Sequence, residues 1–253
     1  MQRERASAFT LLELLIVIAI IALLMVLIAP AFTYIKGGTD VTSAAYTIKG
    51  VLDTARTYAK ANNTYTWVGL YEEDVSQSST NPATAGTGRL VISIVASKNG
   101  TMLYTGNLTN SVILDGPPNQ TALIQIGKLT KIDNVHLKGF AAATSTPPPD
   151  TFDTRPVVTS TAAQIGDNNF PPNPALTFHY PVGTSPGQYP FTKVIQFSPR
   201  GEAVVTNNSY TFAPFSEIGV EPTHGAAVPA STPGNVVAIQ FNGFAGGVKI
   251  YRR

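Results

Sequence analysis

The apolar positions divide the chain into three stretches. Leu14 to Ala29 reads LLIVIAIIALLMVLIA, a run without a polar side chain. Counted outward, Phe9 to Phe32 is interrupted only by Thr10, Glu13 and Pro30. As a helix, at ~1.5 Å per residue, that segment reaches about 36 Å and covers the ~30 Å hydrocarbon core of a bilayer. A soluble helix of this length carries a polar stripe, and this one has none. The pattern predicts membrane insertion. Arg3 and Arg5 precede the run and no basic residue follows until Lys36. The positive-inside rule then predicts a single pass with the N-terminus cytoplasmic and the rest outside.

From Val41 the period changes. Val41, Ala44, Ala45, Ile48, Val51, Leu52, Ala55, Tyr58 and Ala59 recur at helical spacing, with Lys49, Asp53, Arg56 and Lys60 on the other side. This predicts an amphipathic helix capped by Thr39 or Asp40 and ending at Asn62-Asn63. Ala31–Gly38 reads as a break, with Gly37-Gly38 ending or kinking the first helix. From Thr64 the pattern is strands: 65–71, 89–95, 102–104, 123–126, 132–137, 176–180, 193–197, 203–206, 236–241 and 248–251. Asn99-Gly100 marks a hairpin turn. The stretch 141–190 holds ten of the nineteen prolines and reads as a long irregular surface excursion. The fold class predicted is α+β, a long N-terminal helix packed on a β-rich head.

Composition narrows the function. Charged residues are 13% of the 253 and the formal net charge is +2, which gives no support for nucleic-acid binding through charge. The absence of cysteine excludes a disulfide framework, a Cys-ligated metal and a thiol nucleophile. Glu13 is the odd residue, because a carboxylate inside an apolar helix costs about 2.5–3.5 kcal/mol on insertion scales. Three readings compete: a plain signal anchor, a secretory signal cut at Ala29-Pro30-Ala31, and a segment that needs its carboxylate.

The residues Ala8-Phe9-Thr10-Leu11-Leu12-Glu13-Leu14-Leu15-Ile16-Val17 resemble the class III signal of type IV prepilins and type II secretion pseudopilins. The resemblance implies a leader at 1–8, cut between Ala8 and Phe9 by a prepilin peptidase that also N-methylates Phe9. It makes Glu13 the family's glutamate, pairing with a neighbouring subunit's new amine, and places Pro30 at the family's helix-breaking proline. The family usually has Gly before the cut, where this chain has Ala8. The implied organisation is a leader at 1–8, a transmembrane and filament-core helix at 9–32, an amphipathic helix half at 33–63, and a β-rich head at 64–253 with a Pro-rich insertion at about 141–190. Two shorter segments, Ala55–Asn62 and Ile195–Gly201, resemble the helix end and hairpin of the minor pseudopilin H (GspH/FimT-like) group, as does Val237–Ile250.

No phosphate-cradling loop, nucleophile elbow or zinc-protease motif occurs. His136, His179 and His224 lack companions at ligand spacing, so neither a metal nor another cofactor is expected. Glu72-Glu73-Asp74 reads as a solvated turn. Tyr65, Trp67 and Tyr71 share a strand face and read as a core or subunit contact. Lys249, Arg252 and Arg253 form a basic end that reads as a solvated strand.

The expected function is structural rather than enzymatic. The chain would be a pilin or pseudopilin subunit, with a minor, tip-proximal one preferred. It would start in the inner membrane among lipid and end in a periplasmic or surface filament. Its partners would be other pilin-type subunits, the prepilin peptidase and an inner-membrane assembly platform. The alternatives are a pilus-associated binding module for substrate or DNA, and an ordinary secreted or membrane-anchored protein.

Overall fold

The computed structural model describes residues 11–103, 112–113, 122–141, 151–159, 163–167, 176–184, 187–205 and 213–253, with the side chains at 26–40 left aside. Helix α1 runs Leu11–Ala61. Twelve strands follow: β1 (Thr66–Asp74), β2 (Gly88–Ser97), β3 (Val112–Ile113), β4 (Leu123–Leu137), β5 (Gln164–Ile165), β6 (Leu176–Tyr180), β7 (Tyr189–Phe191), β8 (Lys193–Phe197), β9 (Ala203–Val205), β10 (Phe215–Pro222), β11 (Val237–Asn242) and β12 (Val248–Arg252). The α+β class predicted from the pattern is the class observed.

Helix α1 is continuous, so it does not end at Ala31–Gly38, and Thr39 and Asp40 are not caps. A helix that ended at Gly37 and restarted would leave about four carbonyls and four amides without helical partners. Two interior glycines cost about 1 kcal/mol each against alanine, the smaller penalty. The helix ends where expected, with Asn63 in the left-handed region (φ 49).

One face of the second half of α1 is buried. Val41, Ala44, Ala45, Ile48, Leu52, Ala55 and Ala59 are fully enclosed, while Val51 and Tyr58 sit at the margin. The alanines keep this face shallow, and a sheet of nine described strands packs closely on it. Its order is β12-β11-β10-β4-β2-β1-β8-β9, with β5 beside β10. The Ala203 amide of β9 donates to the Gly243 carbonyl just past β11 (2.8 Å). The sheet therefore curls until β9, at one end, meets the turn between β11 and β12, at the other. Val68 and Leu70 of β1, Ile92 of β2, Ile195 and Phe197 of β8, Ile218 and Val220 of β10, and Ile239 and Phe241 of β11 face the helix.

The alternate residues build a second core on the outer face of the sheet. Trp67, Val91, Val95, Phe178, Tyr189, Phe191 and Val194 cluster there, beneath β6 and β7. Trp67 is fully buried, stacks with Tyr65 at 6.4 Å, and donates its indole N–H to Gln196. The aromatic strand is thus a core element.

Several expectations are corrected by pairings distant in sequence. Residues 123–126 and 132–137 belong to one strand, because Gly127 (φ 73) lets β4 continue through its turn-like middle. Asn134 (φ 61) then bends β4, so that Val135 faces Gly88 of β2 on one side and Pro222 of β10 on the other. After Asn99-Gly100, β2 pairs not with the chain just beyond but with β4, Ser97 opposite Leu123. Met102 and Leu103 are not in a strand, and Tyr104 lies outside the described residues. The described parts of 141–190 are no surface excursion: Phe152, Phe178, Tyr189 and Ile165 are buried. Strand β10 escaped the pattern because Glu217, Gly219, Glu221 and Pro222 interrupt it.

Leu52→Ala is expected to destabilise the head by about 2–5 kcal/mol, the usual cost of a buried leucine truncation. Tyr46→Ala, on the exposed side of the same helix, is expected to stay within ~0.5 kcal/mol. Denaturant midpoints of the detergent-solubilised chain check both.

Candidate functional site

Residues 11–25 of α1 are exposed on every side of the helix. Leu11, Leu12, Leu14, Leu15, Ile16, Val17, Ile18, Ile20, Ile21, Leu23, Leu24 and Met25 all present their side chains outward. A soluble monomer usually keeps its largest apolar patch to about 300–600 Å². Here the patch encircles the helix, so this surface needs a cover that the head does not supply. Glu13 lies within it, in the first described turn. Among the described residues, no helix is long and apolar enough to cross a membrane. Ala8 and Phe9 lie outside the described residues. At Pro30 the backbone is helical, and its side chain is outside the description.

The far end of α1 brings the shorter motif segments together. Arg56 and Lys60 lie against Gly201, in the turn between β8 and β9. Arg56 also reaches Gly246, in the turn between β11 and β12, where its Nε sits 3.0 Å from the position a Cβ would take. Both glycines have positive φ (86° and 63°), so these turns cost little only with glycine. The segments 55–62, 195–201 and 237–250 are thus three sides of one junction. Phe197 pairs with Ala203 across the β8–β9 hairpin, as its Ser-Pro-Arg-Gly turn predicts.

The charged residues form internal networks. Glu72-Glu73-Asp74 is not a solvated turn but the end of β1. Glu72 accepts from the Leu137 amide (3.0 Å), lies 2.7 Å from His136 Nδ1, and faces Lys193 at 3.7 Å. Glu73 is buried and pairs with Arg89 (3.2 Å) and Lys131 (3.7 Å). Asp167 accepts from Lys138 (2.8 Å) and the Gly139 amide. Arg155 donates to both carboxylate oxygens of Glu217 (2.6 and 3.1 Å), with both residues buried, and Gln240 donates to the same carboxylate. The Arg155 guanidinium also lies 4.4 Å from the Phe152 ring. Nothing in the local sequence announces these contacts, since Arg155 and Glu217 are far apart along the chain.

Glu221 is the carboxyl of this interior that is left incompletely satisfied. It is buried, its Oε1 has no hydrogen-bond partner, and it stands across from His136 in the β4–β10 register. Burial raises its pKa above the usual carboxylate value, with Asp167 and Glu72 adding to the rise and Lys138 and His136 opposing it. Burial also lowers the pKa of Lys193, against the pull of Glu72 and Asp167. Among the described residues, no group of His, Asp and Glu could hold a metal ion. His224 lies in a turn beside Ala227, and His179 lies in β6. At the basic end, Lys249 lies over the Tyr251 ring and Arg253 faces Asp153 at 3.7 Å.

The family model for the prokaryotic N-terminal methylation motif matches residues 3–29, about a tenth of the chain. No curated protein and no solved structure matches. The motif supports a type IV pilin- or pseudopilin-type precursor, which implies cleavage by a prepilin peptidase, membrane anchoring and assembly with other pilin-type subunits. It marks a structural precursor rather than an enzyme family.

A carboxyl with a raised folded pKa favours folding fully below its unfolded value of about 4.3, and loses that contribution as pH rises through the folded value. Glu221→Gln is therefore expected to gain stability relative to the unsubstituted chain as pH rises from about 4 toward 7. The check is the difference between the two unfolding free energies across pH. A flat difference would mean that Glu221 ionises in the fold as it does in the unfolded chain.

Proposed function

We propose that the chain is a structural subunit of a type II secretion pseudopilus or type IV pilus. The observation that carries this reading is the apolar helix, exposed all round over residues 11–25 and continuous with the helix buried in the head. Such a helix suits two successive covers. The first is lipid, with the head outside the cytoplasmic membrane; the second is the matching helices of other subunits. Cleavage between Ala8 and Phe9 gives a positive amine on Phe9. Glu13 of one subunit pairs with the amine of the next, which neutralises two charges costly in apolar surroundings and sets the axial stagger. Pro30 stands near the end of the apolar run, where the helix passes from filament core toward the head. The head is read as a pilin-type head, supported by the wrapping of its sheet around α1. The junction of segments 55–62, 195–201 and 237–250 supports the pseudopilin H group within that class.

Mass spectrometry of the native protein is expected to find N-methylated Phe9 as the mature terminus, with residues 1–8 absent. A terminus at Phe32 would make it an ordinary secreted protein instead. Glu13→Ala is expected to reduce incorporation into sheared filaments by roughly tenfold or more, the factor that 1.4 kcal/mol of lost pairing represents. Incorporation at the unsubstituted level would remove the role assigned to that carboxylate.

A further inference from the structure

The junction at the end of α1 holds more positive charge than the fold uses. A cavity of about 480 Å³ opens there, lined by Asn63, Tyr65, Ser198, Pro199, Arg200 and Glu202. Arg56 and Lys60 lie against the same β8–β9 turn. Lys98 is at the same end, because the neighbouring Ser97 amide donates to the Tyr65 carbonyl (2.9 Å). Among the described residues that line the cavity, Glu202 is the one carboxylate, and it is engaged: Ser198 Oγ donates to it at 2.8 Å. Among the described residues, no carboxylate pairs with Arg56, Lys60, Lys98 or Arg200. The Nε of Arg56 is buried with no hydrogen-bond partner. Cations in the last helical turn complement the helix dipole, which accounts for Lys60 but not for Arg200 on a separate hairpin.

The far end of β1 carries a carboxylate of the opposite sign, Asp74. Strand β1 starts beside the helix end, where Thr66 Oγ1 donates to the Ala55 carbonyl, and runs to Asp74 at the far end. Asp74 accepts from the Ser76 amide (2.8 Å) and hydroxyl (2.6 Å), which hold its carboxyl below the usual range and keep it ionised. A head of this architecture thus offers an ionised carboxylate at one end and, at the other, a cavity lined by Arg200 with Arg56 and Lys60 beside it.

We propose that the cavity at Arg200 receives an ionised carboxylate from the head of an adjoining, similarly built subunit, so that heads stack end to end. The proposal rests on the filament reading above. A contact between unlike patches is heterologous, and repeated without closing it generates a helical filament rather than a closed dimer. It adds a second axial contact, far from the pairing of Glu13, and one that weakens with salt.

The test is a double charge reversal, Lys60→Glu with Arg200→Glu, in the full chain in its own host, with the sheared filament fraction read by immunoblot. The reversal is expected to cut incorporation by roughly tenfold or more while the membrane pool and the N-methylated terminus persist. Lys60→Arg with Arg200→Lys is expected to incorporate like the unsubstituted chain. Arg200→Glu alone, on an exposed turn, serves if the double variant shifts the thermal midpoint. Normal incorporation of a folded reversal overturns the proposal and leaves the filament reading standing. So does an equal loss in the charge-conserving pair. Absence of the unsubstituted chain from filaments overturns both. The detergent-solubilised chain is expected not to bind a short labelled DNA duplex at physiological salt. Saturable binding lost in a normally incorporating reversal would reassign the cavity to nucleic acid.

Discussion

The architecture depends on one contact, the shallow apolar face of α1 held in the curl of the sheet. Val41, Ala44, Ala45, Ile48, Leu52, Ala55 and Ala59 supply that face, and every major strand of the sheet contributes to the layer around it. Burying a side chain such as Ile48 or Leu52 contributes about 1.5–3 kcal/mol each. The alanines contribute less area but let the backbones approach closely. Because the helix does not break between the head and the apolar run, this contact also fixes how the exposed residues 11–25 are presented.

With no cysteine in the chain, covalent staples are absent, and the polar interior takes up the task of choosing which segments meet. The Arg155–Glu217–Gln240 network ties the chain around 151–159 onto β10 and β11. Glu73, Arg89, Lys131 and the Tyr189 hydroxyl join β1, β2, β4 and β7. Buried pairs of this kind gain little net stability, since desolvation offsets much of the Coulomb attraction, but a broken pair leaves a costly buried charge. Their effect is therefore to penalise wrong registers and misplaced loops. Glu221 departs from the pattern, a carboxyl kept in the interior without a hydrogen bond at one oxygen.

The two ends of the molecule carry different physics. The apolar helix needs a dry cover, and its burial is not weakened by the screening of charges. The junction of 55–62, 195–201 and 237–250 is polar, cationic and open. An end-to-end array of such subunits would combine a hydrophobic core, which resists shear, with rim contacts between heads that tune order.

The sequence alone determined what is local. The run from Leu14 to Ala29, the helical period from Val41 to Ala59, the stop at Asn62-Asn63 and strands such as 176–180, 193–197 and 248–251 were legible because spacing and turn chemistry act between near neighbours. The processing signal was legible for the same reason. What lay beyond it was set by partners distant along the chain. Gly37-Gly38 does not end a helix that gains more by continuing. Asn99-Gly100 lost its hairpin to β4. Glu217, Gly219 and Glu221 looked unlike a strand until Arg155, the Lys138 carbonyl and His136 stood opposite them. The cationic junction came from three segments, each an ordinary turn or helix end by itself. Only the tertiary structure decided these, because a buried charge or a close backbone approach is paid for by whatever packs against it.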